Sequence, residues 1–111
     1  MWASSKSFQV VANPPGDTEL REMAEKIFNV FGLTLWEMRH SDNYENGRYY
    51  LAYAMNARLS MYDCDWGDGY PFMLTIDRPE AERPAGGRIP DSAHMVLETL
   101  AILGLHVREV V

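Results

Sequence analysis

Cysteine is nearly absent from the sequence, since Cys64 is the only one among 111 residues. Without a second thiol the chain has no intramolecular disulfide and no cysteine pair for a structural zinc site. No stretch approaches the roughly 20 apolar residues of a membrane span, and the first residues lack the apolar run of a secretory signal. These absences exclude a disulfide-stabilised secreted scaffold and a zinc finger, and they predict a cytoplasmic location with no membrane partner.

Basic residues are also scarce. The chain has 10 Lys and Arg against 16 Asp and Glu, which gives a formal net charge of -6 at pH 7. Proteins that bind nucleic acids present Lys and Arg to the phosphates and release counterions. The charge balance therefore predicts that nucleic acid is not a partner.

Recognisable catalytic and metal-binding motifs are missing too. Gly86-Gly87 lacks the lysine and the flanking strand and helix of a phosphate-binding loop, and the three histidines do not have the spacing that places two on one helical face. Cys64 lies between Asp63 and Asp65, whose negative charge disfavours a reactive thiolate. We expect no enzymatic activity, no cofactor and no metal. A small hydrolase using Cys64 or a carboxylate ranks last among the possible functions.

Hydrophobic periodicity predicts six strands and two helices within one α+β domain covering residues 1–111. Alternation of apolar and polar residues indicates the strands, and apolar residues every three or four positions indicate the helices. The predicted strands are 7–12, 33–39, 48–54, 57–62, 70–76 and 105–110, and the predicted helices run from about Thr18 to Phe31 and from Asp91 or Ser92 to Leu103.

This order, β-α-β-β-β-β-α-β, favours a two-layer sandwich with a mostly antiparallel sheet. Each helix has a single apolar stripe, so each covers one side of a sheet. A ferredoxin-like core with an inserted hairpin and a continuous antiparallel sheet with both helices on one face are both compatible with the pattern. We also expect Asp17 to cap the first helix, strand 33–39 to be covered on both sides, and 78–90 to be an exposed loop.

The acidic loop after the fourth strand resembles a calcium-binding loop only superficially. Counting from Asp63, the fifth ligand position is Gly67 and the twelfth, where a bidentate glutamate is required, is Leu74. Two interpretations remain. Asp and Gly suit a solvated turn, whereas Asp63, Asp65 and Asp68 beside Trp66 and Tyr70 suit an acidic, aromatic edge that contacts another protein.

Tyrosine is concentrated in the middle third of the chain. The strand pattern favours a mixed placement, with some tyrosines packed under the helices and others on the solvent face of the sheet. A continuous outer patch would instead mark a binding face. The residues concerned are Tyr44, Tyr49, Tyr50, Tyr53, Tyr62 and Tyr70.

The run Asn43-Tyr44-Glu45-Asn46-Gly47-Arg48-Tyr49-Tyr50-Leu51-Ala52-Tyr53-Ala54, followed by Tyr62-Asp63 and Tyr70-Pro71-Phe72, resembles small bacterial immunity proteins. Such proteins are encoded beside polymorphic or contact-dependent growth-inhibition toxins. The resemblance covers about residues 40–78. It implies tight, stoichiometric binding of a cognate toxin domain in the cytoplasm, without catalysis.

Many such toxins are nucleases with basic clefts, and an acidic protein would be steered onto them. The resemblance and the charge together assign partner binding to two loops, although they leave open whether both loops lie at one edge. The assigned residues are Asp42, Tyr44 and Glu45 in the first loop and Asp63, Asp65, Trp66, Asp68 and Tyr70 in the second. The alternative is a small non-catalytic ligand-binding or regulatory module that uses a tyrosine-rich sheet face, with a homodimer through that face as one form of it.

Overall fold

A computed structural model describes residues 5–12, 18–42, 47–64, 69–78 and 84–110. Within these ranges the chain forms six strands and two helices in the predicted order. The elements are β1 (Ser5–Ala12), α1 (Leu20–Val30), β2 (Trp36–His40), β3 (Arg48–Tyr53), β4 (Arg58–Asp63), β5 (Phe72–Asp77), α2 (Ala93–Ile102) and β6 (Leu105–Val110). Neither helix is long and apolar enough to cross a membrane.

All six strands belong to one sheet with the order β2-β3-β4-β5-β1-β6. Every neighbouring pair is antiparallel. The α+β prediction is therefore confirmed, and of the two topologies that the sequence allowed, the continuous antiparallel sheet is the one observed. β1 lies between β5 and β6, with Phe8 opposite Leu74 on one side and Glu109 on the other.

One face of the sheet carries the hydrophobic core. Phe8, Leu59, Met61 and Leu74 point to this face from adjacent strands and are fully buried. Both helices pack on it, because their apolar stripes have no other surface to bury. The helical residues of the same core cluster are Leu20, Met23, Ala24, Ile27 and Phe28 from α1 and Val96 and Leu100 from α2.

The C-terminal ends of both helices lie within one residue of their predicted positions, whereas the N-terminal end of α1 does not. Gly32 and Gly104 follow the two helices with φ of 72° and 77°, a conformation that glycine adopts without a Cβ penalty. The α2 cap is Ser92, whose Oγ accepts a hydrogen bond from Met95 N at 3.2 Å. Helix α1 begins at Leu20 with Glu19 at the cap position and no side-chain cap bond, so its predicted start at Thr18 is two residues early; Asp17 lies outside the described residues.

The second strand differs from its prediction. It begins at Trp36 rather than 33, and it is an edge strand paired only with β3 among the described strands. The predicted coverage of both faces is wrong, because the side chains of both faces are largely exposed. Trp36 alone is half-buried, with its ring against Phe28 and Tyr50 at centroid distances of 6.0 and 6.1 Å. The other four residues of β2 are exposed. The period-two pattern identified the strand but carried no information about its position at the edge.

Residues 84–90 are less exposed than the prediction for 78–90 required. The Ile89 side chain is 1% exposed within the core cluster. The Asn56 side chain, in the turn between β3 and β4, donates to Ile89 O at 2.8 Å and accepts from Ile89 N at 2.9 Å. Arg78 donates to the carbonyl oxygens of Ile89 and Pro90, and its burial lowers the pKa of its guanidinium while nearby Asp91 opposes that shift. Polar contacts with Asn56 and Arg78 thus hold the segment against the end of the sheet where β3 and β5 finish. A proline- and glycine-rich sequence does not indicate these contacts.

Replacing Asn56 by alanine should destabilise the protein by about 2–4 kcal/mol, because two backbone groups of a buried residue lose their partner. Chemical unfolding followed by circular dichroism measures this change. Asn29→Ala is the matched control, since Asn29 is exposed on α1 and its removal should change the stability by no more than about 0.5 kcal/mol. Equal effects of the two substitutions would contradict a stabilising role of the hydrogen bonds between Asn56 and the Ile89 backbone.

Candidate protein-binding site

The two loops assigned to partner binding leave the same end of the sheet. β2 ends at His40, which pairs with Arg48 at the start of β3. β4 ends at Asp63, which pairs with Phe72 at the start of β5. Because β3 and β4 are neighbours, the two pairs of strand ends lie side by side, about 5 Å apart. The sequence left open whether the two loops lie at one edge, and the structure shows that the strand ends from which they leave are neighbours.

Three of the eight assigned residues are described. Asp42 is exposed immediately after β2, and Asp63 is half-buried at the end of β4. Tyr70 is half-buried with the Arg108 guanidinium carbon 4.2 Å from its ring centroid, and Arg108 Nε donates to Gln9 Oε1 at 2.7 Å. Tyr70 is therefore held by the neighbouring strands rather than projecting freely. Tyr44, Glu45, Asp65, Trp66 and Asp68 lie outside the described residues.

Cys64, before the second loop, is hydrogen-bonded to the residues that follow the loop. Its backbone N–H donates to Pro71 O at 2.8 Å, and its thiol donates to Tyr70 O at 3.4 Å. The residue is 4% exposed. A thiol in this position fixes the loop ends and is not presented to a substrate.

The sheet face opposite the helices contains a second feature, a polar groove of about 250 Å³ that we call the open-face groove. It spans β2 to β5 and is the part of the sheet where no helix packs. Leu51 and Ser60 are buried in it, at 4% and 9% exposure, although neither described helix packs on this face. The residues that line it are Arg39, Tyr49, Leu51, Arg58, Ser60, Tyr62, Thr75 and Asp77.

Hydrogen bonds across the strands order the side chains of the open-face groove. Arg39 donates to Glu37 Oε1 at 2.8 Å and to Tyr53 Oη at 3.1 Å. The pKa of its guanidinium is raised, chiefly by the hydrogen bond to Glu37 and then by one to Tyr49. Arg58 pairs with Asp77 at 3.3 Å. The groove is thus lined by charged groups that are already neutralised in pairs.

A chain of hydroxyl groups crosses the open face next to these ion pairs. Tyr62 Oη and Ser7 Oγ lie 3.2 and 2.9 Å from Thr75 Oγ1. Hydroxyls both donate and accept, so this chain can re-orient its hydrogen bonds toward a bound polar group.

The tyrosines divide as the strand pattern predicts. Tyr50 is buried under the helices at 5% exposure, whereas Tyr49, Tyr53 and Tyr62 lie half-buried on the open face. The sequence reasoning did not identify Arg39, Arg58 or Asp77 as parts of a possible site. The available signal was period two: Arg58 and Asp77 are next to the buried Leu59 and Ile76, and Arg39 pairs with Tyr49, so all three lie on the tyrosine face.

No protein-family model, curated protein or solved structure matches this chain. The site is therefore interpreted from its own geometry. Among the described residues no three His, Cys, Asp or Glu side chains are grouped so that they could hold a metal ion. At the loop end the described residues include one exposed carboxylate, Asp42, and one half-buried carboxylate, Asp63.

The Cys64 thiol should react with a disulfide reagent at least about tenfold more slowly in the native protein than in denaturant, because attack requires an exposed thiolate. Absorbance of the released thiolate measures both rates. Fast modification of the folded protein would show that Cys64 is accessible and would restore it as a candidate nucleophile. Cys64→Ala supplies the blank for reactions at other groups.

Proposed function

We propose that the protein is an immunity-type inhibitor, which binds a basic toxin domain with nuclease activity through the acidic loops at one end of its sheet. The observation that carries the proposal is the placement of both acidic loops on adjacent strand ends. By sequence these loops and strand ends contain five carboxylates, Asp42, Glu45, Asp63, Asp65 and Asp68.

Electrostatics supports this function. Acidic groups gathered at one end of a protein with net charge -6 create a field that accelerates encounter with a basic surface. Carboxylates can also occupy the positions where a nuclease cleft holds substrate phosphates, which makes binding inhibitory without any catalysis by this chain. Trp66 and Tyr70 supply the aromatic residue types that contribute most to protein interfaces.

The double substitution Asp42→Asn/Asp63→Asn should slow association with the toxin domain encoded beside this gene by on the order of tenfold at low salt, since loop-end charges act chiefly on the association rate. Surface plasmon resonance at two salt concentrations measures this, and the difference from the unmodified protein should shrink at high salt.

Asp91→Asn/Glu98→Gln is the matched control. It removes the same charge from exposed positions on and just before α2, away from the two loops. If both double variants slow association equally, net charge rather than the loop end is responsible. The proposal fails if the unmodified protein neither binds that domain nor protects cells that produce it.

A second candidate function, binding of a small ligand, is favoured by the open-face groove. Its guanidinium groups, tyrosine rings and hydroxyls suit a small molecule that combines an acidic group with a ring. Such a ligand would replace Asp77 as the partner of Arg58.

For such a ligand, Arg58→Gln should weaken binding about tenfold, because a charge-assisted hydrogen bond is lost. Purine nucleoside monophosphates are suitable probes, with binding followed through the NMR signals of the Tyr49 and Tyr62 rings. Arg21→Gln is the control, since Arg21 forms an exposed ion pair with Glu25 on α1, away from the groove. Unchanged tyrosine signals at millimolar probe would argue against a nucleotide-like ligand.

A further inference from the structure

The outer edge of β2 has the features of a self-association surface. β2 ends the sheet, and no other described strand pairs with its outer side. Leu35 and Met38 are 52% and 46% exposed there. An edge strand with unpaired backbone groups and exposed apolar side chains is a template for a further strand.

The hydrogen-bond pattern identifies which backbone groups face outward. Tyr53 N donates to Leu35 O at 3.0 Å, and Ser41 N donates to Gly47 O at 2.9 Å. In an antiparallel ladder, hydrogen-bonded and non-hydrogen-bonded residues alternate, so residues 35, 37, 39 and 41 of this segment point their backbone groups toward β3. The N–H and C=O groups of Trp36, Met38 and His40 therefore point away from the sheet.

The side chains of β2 select one way of pairing this edge with a copy of itself. In an antiparallel pair centred on Met38, the outward groups of Trp36 meet those of His40 in the second copy, and the Met38 groups meet each other. In the same register Glu37 lies opposite Arg39 of the second copy, and Arg39 opposite Glu37. Opposite charges in directly facing positions stabilise a strand pair.

The neighbouring registers that also align the outward backbone groups are disfavoured. Centring the pair on residue 37 places Glu37 opposite Glu37, and centring it on residue 39 places Arg39 opposite Arg39. Like charges in facing positions destabilise strand pairs. The same short sequence, Trp36-Glu37-Met38-Arg39-His40, thus favours the register with the larger number of backbone hydrogen bonds and opposes its competitors.

We propose that two copies of this chain associate through their β2 strands, in the register centred on Met38, to form one continuous twelve-stranded sheet with two-fold symmetry. The two Met38 side chains pack together on the helix face, where Met38 is not covered in the single copy. On the open face the Glu37–Arg39 pair of each copy, now 2.6 Å apart, exchanges partners with the other copy. The acidic loop ends of the two copies then point in opposite directions, leaving both accessible to partners.

Met38→Pro tests the proposal without disturbing the β2–β3 ladder, because proline removes an N–H that faces outward. Sedimentation velocity should show the unmodified protein as a dimer at the upper end of a concentration series from about 1 μM to 1 mM, the range over which weak and moderate complexes form. Met38→Pro should be monomeric throughout, with a melting temperature close to that of the unmodified protein. Arg39→Pro, which removes an inward N–H, should instead lower the melting temperature.

A charge exchange tests the register. Glu37→Arg places two arginines opposite each other and should weaken the dimer about tenfold, and Glu37→Arg/Arg39→Glu should restore it because the facing charges are again opposite. A monomeric unmodified protein at the highest concentration overturns the proposal. A dimer that persists in Met38→Pro, or one that the double variant does not restore, shows that another surface or register is used and overturns it equally.

Discussion

The packing of both helices on a single face of the sheet is the constraint on which the other features of the molecule depend. Each helix has one apolar stripe, and the two stripes meet the same buried strip of Phe8, Leu59 and Leu74. On the opposite face the described side chains around the buried Leu51 and Ser60 are tyrosines, arginines and hydroxyl residues. The same arrangement leaves one end of the sheet for the two acidic loops and β2 at an uncovered edge. The positions of the candidate binding surfaces are consequences of where the core is placed.

The number, type and order of the elements follow from the sequence because each depends on local periodicity, and the period-two and 3.6-residue patterns are strong here. The glycines after both helices and the division of the tyrosines between the two faces of the sheet were predictable for the same reason. Which tyrosine lies inside was not, because both faces of β3 carry large side chains. Strand order was not predictable, because the position of β1 between β5 and β6 depends on pairs separated by most of the chain. The exposure of β2 and the burial of Ile89 depend on that order, so the predicted coverage of β2 on both sides and the predicted exposure of the 78–90 loop at Ile89 were both wrong.

The candidate site shows the same division between local and distant information. Charge and residue type indicated which loops are acidic, but only the strand registers show that their strand ends are neighbours. The open-face groove required Arg39, Arg58 and Asp77 to be brought together from three strands, which no local pattern specifies. Arg108 over Tyr70 is a further example, since the two residues are 38 positions apart along the chain. Residues that contribute side chains to a shared surface were therefore harder to identify than residues that share a loop.

The position of β1 also bears on how the protein assembles during synthesis. β2, β3, β4 and β5 are successive antiparallel neighbours, so their pairing closes only short segments of chain and can occur early. β1 pairs with strands about 70 and 100 residues later, as Ser7 opposite Thr75 and Val110 illustrates. β1 therefore has both of its neighbouring strands only after β6 has been synthesised. Until β6 has been synthesised, β1 can pair with β5 but leaves its other edge without a partner strand. The meander of β2 to β5 is then the template to which β1 and β6 are added.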